Sequence, residues 1–197
     1  MDLIYGLPQQ SSESFERTLS QVIEWRPDRI ALYAYAHRPA HFKPQRHIST
    51  AALPSDAANL VMHSNSIAAL RAAGYVFIGL AHFALPTDVL AIAKRQGRLH
   101  RNFQGFSTQP DCDLIELGVS VIGRVGPSYS QNAKTMESYS DRLDQDLFPV
   151  VSGVALSRDD LIRRAIIMSL MCQGDVSFES VELAYLIDFR HYFASEL

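Results

Sequence analysis

The stretch DLIYGLPQQSSESFERTLSQVIEWRPDRIALYAYA, Asp2 to Ala36, decides how the rest of the chain is read. Asp2–Tyr5 is a short run of apolar and aromatic residues behind one carboxylate, ended by the Gly6-Leu7-Pro8 turn, and it reads as a buried strand. SSESFERTLSQVIEW then shows a helical period. Ser11 or Ser12 is placed to cap it, Glu13 favours its positive end, and Phe15, Leu19, Val22 and Ile23 make one apolar face. Pro27 stops the helix. From Arg29 to Ala36 the chain is apolar almost throughout, the pattern of a strand buried on both faces. Strand, helix and strand in this order form a βαβ unit, which pairs its strands in parallel. Asp2–Tyr5 and Ile30–Tyr35 are therefore expected side by side, with Phe15, Leu19 and Ile23 packed on them.

Beyond Ala36 the segment HRPAHFKPQRHISTAALP is irregular, with three prolines and three histidines. A second helix is expected from about Ser55 to Ala73, with Ala57, Leu60, Val61, Ile67 and Leu70 along one side. Gly74 stands where a left-handed cap would end it. YVFIGLAHF reads as another buried strand, and TDVLAIAKRQG as a short helix capped by Thr87 and Gly97. HRNFQGFSTQPDCD reads as a polar loop containing glycine, and LIELGVSVIGRVG as a strand. A boundary is expected around Phe148–Gly153. After it, SRDDLIRRAIIMSLMC begins with a capping pattern at Ser157 and Asp160, and a last amphipathic helix covers about Ser180 to Tyr192. The order βαβ, α, β followed by helices is that of the second half of an α/β barrel or doubly wound domain. Because a parallel strand needs neighbours on both sides, the first half is expected to be missing.

Composition narrows the function classes. Of 197 residues, 47% are hydrophobic and 20% charged, a globular balance. A formal net charge of -3 offers no basic field for nucleic acid or an anionic membrane. No apolar run approaches the roughly 20 residues that span a bilayer. Two cysteines, Cys112 and Cys172, lie far apart and suit a reduced, cytoplasmic chain better than a disulfide framework.

Four motifs in order carry a resemblance that covers essentially the whole chain: DLIYGLPQQSSESF, YAYAHRP, GYVFIGLAHFALPTDVLAIAKRQGRLHRNFQGFST and LSRDDLIRRAIIMSLMC. Together they resemble the oxygen-independent coproporphyrinogen III oxidases, radical S-adenosylmethionine (SAM) enzymes of haem synthesis. The resemblance implies an α/β fold, the second half of a partial (β/α) radical-SAM barrel, followed by the start of a helical C-terminal domain. Residues 1 to about 150 would belong to the barrel and 151–197 to the helical domain. It also implies two SAM molecules and a [4Fe–4S] cluster in the intact enzyme. The family holds that cluster on a Cys-x-x-x-Cys-x-x-Cys loop well before the segment matching Asp2. Cys112 and Cys172 match neither its number nor its spacing, so the metal ligands are expected outside this chain and the chain alone is expected to be inactive.

The resemblance assigns site residues one by one. Asp2 matches an aspartate that contacts the second SAM, where a carboxylate can accept from ribose hydroxyls or an α-ammonium. Ala36 matches a position that meets SAM through backbone. Phe103 and Gln104 of RNFQG offer a flat apolar wall and an amide edge, and Ile122 matches a residue that packs on the first SAM. His37, Arg38 and Arg101 are cations suited to the carboxylates of a substrate with four propionates. No catalytic side chain is assigned. Ala81 and Ala34 depart from the family, which usually has an aspartate and an asparagine there.

The reaction so implied starts with reductive cleavage of SAM to a 5′-deoxyadenosyl radical, which takes hydrogen from a propionate β-carbon. Loss of CO2 and an electron leaves a vinyl group, and two rounds convert coproporphyrinogen III to protoporphyrinogen IX. A radical-SAM haem chaperone is the nearest rival, disfavoured by RNFQGF. A non-catalytic porphyrin- or SAM-binding remnant is the rival from another class. Neither nucleic acid nor membrane is expected as a partner. The intact family is expected to be monomeric, while the unpaired sheet flank of this chain invites self-association.

Overall fold

The computed structural model describes residues 1–109 and 112–197. By compactness the chain divides into two units, Met1–Gly97 and Arg98–Leu197.

The first unit is built on the expected βαβ unit. Strand β1 (Asp2–Tyr5) pairs in parallel with β2 (Arg29–Ala34), in the register Asp2↔Ala31 to Tyr5↔Ala34. Helix α1 (Ser12–Trp25) crosses between them. Ser11 caps it, exchanging hydrogen bonds with Ser14, and Arg26 ends it in the left-handed region. Phe15, Leu19 and Val22 are buried with Leu3, Ile30 and Leu32, and Ile23 packs against this core. Burial of such side chains contributes about 1.5–3 kcal/mol each.

Helix α2 (Asp56–Ala72) starts at the Ser55 cap, and Gly74 follows it at φ +87°. Its buried stripe differs from the expected one. Met62, Ser66 and Leu70 face inward, whereas Leu60 and Val61 are 66% and 47% exposed. Apolar residues lie nearly all round this helix, so periodicity alone does not select a face.

The segment read as one strand, YVFIGLAHF, is two. β3 (Val76–Gly79) and β4 (His82–Ala84) form an antiparallel hairpin, turning at Leu80 and Ala81 with φ of 44° and 58°. Two residues of positive φ are what a two-residue hairpin turn needs. Neither is glycine, which is why the turn carried no signal. β4 also pairs antiparallel with β2, so the sheet order is β1-β2-β4-β3 and only its first pair is parallel. Helix α3 (Val89–Arg95) is capped by Asp88 rather than Thr87.

The second unit holds a hairpin, β5 (His100–Asn102) with β6 (Gly105–Ser107), where a loop was expected. Pro110 and Asp111 of that loop lie outside the described residues. The next expected strand is shorter: β7 (Ile122–Val125) begins only after Gly118 and Ser120 turn through positive φ. It joins β8 (Ser128–Asn132) and β9 (Val150–Ala155) in an antiparallel sheet, with α4 (Met136–Asp144) between the last two strands. β9 runs across the boundary region read from the sequence.

Helix α5 (Arg158–Gln173) has the expected Ser157–Asp160 capping box and ends at Gly174, φ 88°. The single last helix is instead two, α6 (Phe178–Tyr185) and α7 (Phe189–Tyr192), broken where Leu186 turns left-handed and Asp188 caps the second. Ile162, Val181, Phe189 and Phe193 close the core between them.

Candidate functional site

In the first unit α1 and α2 cover one face of the sheet, and α3 packs against β3, with Ile78 and Ala84 buried on the other face. Leu3, Ile30, Leu32 and Phe83 point into the core. Side chains alternate along a strand, so Asp2, Ile4 and Tyr33 look the other way, and the register partners Ile4 and Tyr33 are 45% and 44% exposed. The expectation that β2 is buried on both faces therefore fails at Tyr33. Next to it, the ring of His82 stands edge-on to Tyr33 at 5.8 Å, with Nε2 3.5 Å from the phenol oxygen. An exposed carboxylate, an isoleucine, a phenol and an imidazole thus share an open sheet face.

Ala36, His37 and Arg38 follow the end of β2. Gln45 fixes that corner, donating from Nε2 to the Ala36 carbonyl at 3.0 Å and accepting the Arg38 backbone N–H. The His37 ring lies beside Tyr35, Nδ1 3.4 Å from its hydroxyl. Asp2 is on the adjacent strand but opposite Ala31, five positions upstream of Ala36. Burial raises the Tyr5 phenol above its ordinary pKa.

In the second unit Arg101, Phe103 and Gln104 share one hairpin. Asn102 and Gly105 are register partners, and Phe103 and Gln104 make the two-residue turn between them. The Asn102 side chain accepts the Gln104 N–H at 2.9 Å, and Gly105 takes φ +129°. Asn at the first turn position and Gly at the fourth are the signal the sequence offered for this hairpin. Phe103 is 58% exposed, and its ring meets Tyr129 edge-on at 5.5 Å. The Gln104 side chain stands in solvent at the tip. Ile122, half-buried, opens β7 opposite Gln131.

Arg101 and Phe103 also line a cavity of about 220 Å³, with His100 and with three residues that sequence reading did not select: Arg124 of β7, Tyr129 of β8 and Arg164 of α5. On α5, Arg163 pairs with Asp159 at 2.8 Å, while Arg164 donates to the Tyr129 hydroxyl at 2.9 Å.

No known family profile matches the chain. Individual proteins match it over nearly its whole length. It is 46% identical over 197 residues to the oxygen-independent coproporphyrinogen III oxidase of Escherichia coli strain K12, covering 100% of this chain and 43% of that protein. The chain is homologous to a segment of the oxygen-independent coproporphyrinogen III oxidases. The Pseudomonas aeruginosa member is 46% identical over 194 residues, covering 98% of this chain and 42% of that protein. The solved structure of the Escherichia coli coproporphyrinogen III oxidase, described as a radical SAM enzyme, aligns with a TM-score of 0.95 at 47% identity, covering 98% of this chain and 44% of that one. The chain therefore spans less than half the length of these relatives, and its α/β fold is that of part of a radical SAM family member.

Proposed function

We propose that this chain is the part of an oxygen-independent coproporphyrinogen III oxidase that completes its SAM- and substrate-binding shell. The intact enzyme would convert two propionates of coproporphyrinogen III to vinyl groups, each with release of CO2, a proton and two electrons, giving protoporphyrinogen IX for haem synthesis. The observation that carries this reading is 46% identity sustained over all 197 residues.

Cys112 is exposed and Cys172 buried, and two thiols are fewer than the three thiolates that a SAM-binding cluster uses. Among the described residues no group of three His, Cys, Asp or Glu is placed to hold a metal ion. The cluster's ligands would thus come from outside this chain. SAM and the cluster would supply the radical chemistry; the groups here bind, orient and exclude water. Asp2, Ala36, Phe103, Gln104 and Ile122 would contact the two SAM molecules, and His37, Arg38 and Arg101 the substrate. The exposure of Asp2 on its sheet face and of Phe103 and Gln104 at their turn supports this. We assign residues 1–150 to the barrel and 151–197 to the helical domain. A cytoplasmic location fits: among the described residues no helix is long and apolar enough to cross a membrane. The free edge of β1, an outer strand of its sheet, is where self-association would occur.

The test is equilibrium binding of SAM to this chain co-expressed with the cysteine-bearing part of the Escherichia coli relative. SAM should bind, and Asp2→Asn and Gln104→Ala should each weaken it about tenfold, the size of a lost hydrogen bond to a charged group. A folded, cluster-loaded complex whose SAM affinity ignores both changes would contradict the assignment.

A further inference from the structure

We infer that an apolar groove on the second unit, between α5 and the last two helices, is an interface with the part of the enzyme outside this chain, covered in the intact protein by an apolar segment of it. This rests on the reading above, in which the chain is part of a longer polypeptide.

Helix α5 carries more apolar surface than its own unit buries. Nine of the twelve residues from Leu161 to Cys172 are apolar. Ala165, Ile166, Ile167 and Met168 follow one another, and at about 3.6 residues per turn such a run looks out on every side of a helix. A helix that is apolar all round is one enclosed by protein. Here Ile162 and Cys172 are the buried residues, while Ile167 and Leu170 are 50% and 51% exposed. The helix is thus built for a burial that the described residues do not supply.

Its exposed side is one wall of a defined groove. Ile167 and Leu170, with Val176, Phe178 and Phe193, border about 480 Å³ of open space. The facing wall is aromatic: Phe178 and Phe189 stack at 4.0 Å, and Phe189 meets Phe193 at 5.0 Å. Arg163 and Glu196, the charged residues in the lining, pair with each other at 2.8 Å, so neither is left to steer an ionic ligand. Such a groove takes aliphatic or aromatic side chains.

Length names their source. This chain spans 43% of the Escherichia coli relative, so more than half of that protein lies outside it. A segment of the same polypeptide meets the groove at an effective concentration on the order of millimolar when the tether is short, whereas a second copy has to be met in solution.

The experiment puts the photo-crosslinker p-benzoylphenylalanine in place of Leu170. The host is the Escherichia coli enzyme with its matching segment exchanged for these residues. Irradiation should join the groove to a residue outside them, within one polypeptide, as mapped by mass spectrometry. A cross-link between two polypeptides would give the groove to a second copy. That result, a cross-link to another of these residues, or no cross-link would each overturn the inference. Leu170→Asp gives a second readout. In this chain alone the charge stays in solvent and should move the melting temperature by less than about 2 °C. In the exchanged enzyme it is buried without a partner and should lower the melting temperature by about 3 °C or more. Equal shifts in the two proteins would overturn the inference, and the cross-link decides even where Leu170→Asp does not fold. Failure separates from failure of the proposed function. An exchanged enzyme that forms protoporphyrinogen IX without the cross-link defeats the groove and keeps the function; a cross-linked, cluster-loaded enzyme that forms no product does the reverse.

Discussion

Arg164 of α5 donates through Nε to the hydroxyl of Tyr129 on β8, at 2.9 Å. This hydrogen bond ties the long helix of the second unit to its three-stranded sheet. Tyr129→Phe keeps the ring that Phe103 packs against but removes the acceptor. Loss of a charged-donor hydrogen bond at a half-buried site should cost about 1–2 kcal/mol of unfolding free energy. Urea titration measures it, and combined with Arg164→Ala the two changes should cost less than the sum of their separate costs, because both remove this bond. Full additivity would mean that the bond contributes nothing.

The hairpin between β3 and β4 turns on two non-glycine residues of positive φ, Leu80 and Ala81. A left-handed L-residue costs roughly 1–2 kcal/mol, less for Asn or Asp, whose side chains bond locally. Ala81→Asn should therefore raise stability by about 0.5–1 kcal/mol, and Ala81→Val should lower it by more than about 1 kcal/mol, since a β-branched residue tolerates this region worst. Thermal unfolding of the two variants beside the parent checks the order. A destabilised Ala81→Asn would remove the strain argument.

Acid should loosen the helical end of the chain. Asp159 accepts from Arg163 at 2.8 Å and from the Tyr192 hydroxyl at 2.8 Å, and Arg163 reaches Glu196 at 2.8 Å. Hydrogen bonds from Arg163 and then Tyr192 hold Asp159 below its ordinary pKa. Bonds from Ser195 and then Arg163 do the same for Glu196, and Ser157 does so for Asp160. Depressed carboxylates contribute stability that is fully present above their unfolded values, 3.8 for Asp and 4.5 for Glu. That stability is lost as pH falls through the lower folded values. The groups are exposed, so the effect is modest and salt-sensitive. The urea midpoint should fall below about pH 4.5, and Asp159→Asn should flatten that decline. A midpoint unchanged from pH 7 to 3 would show that the network contributes nothing.

The parts of the fold legible in the sequence were those where local chemistry and burial agree. The parallel pair β1–β2 followed from the continuous apolar runs, and α1 and α5 from serine caps with an amphipathic face or a capping acid. What escaped was set by tertiary context. The β3–β4 turn at Leu80-Ala81 has no turn residues. Helix α2 has apolar residues on every side, so Met62 and Ser66 could not be told from Leu60 and Val61. Asn102 and Gly105 did mark the β5–β6 turn, yet a polar loop fitted the same letters. Of the candidate site, Arg101, Phe103 and Gln104 could be read together because they are neighbours in sequence. Arg124, Tyr129 and Arg164 join the cavity only through folding, from segments whose patterns read as strand and surface helix.

Two thiols in separate segments should leave the chain unable to generate a radical by itself. After anaerobic reconstitution with iron and sulfide it should show no stable [4Fe–4S] absorption, and it should release no 5′-deoxyadenosine from SAM. SAM cleavage above a protein-free control would contradict this.

The claim that these residues complete a coproporphyrinogen III oxidase is tested most directly by exchange. The segment of the Escherichia coli enzyme that matches this chain is replaced by these 197 residues, and anaerobic conversion of coproporphyrinogen III to protoporphyrinogen IX is measured. The chimera should form product at a rate within about tenfold of the parent, a difference of about 1.4 kcal/mol in barrier, and Gln104→Ala should slow it about tenfold further at limiting SAM. A folded chimera that loads its cluster yet forms no product would contradict the account.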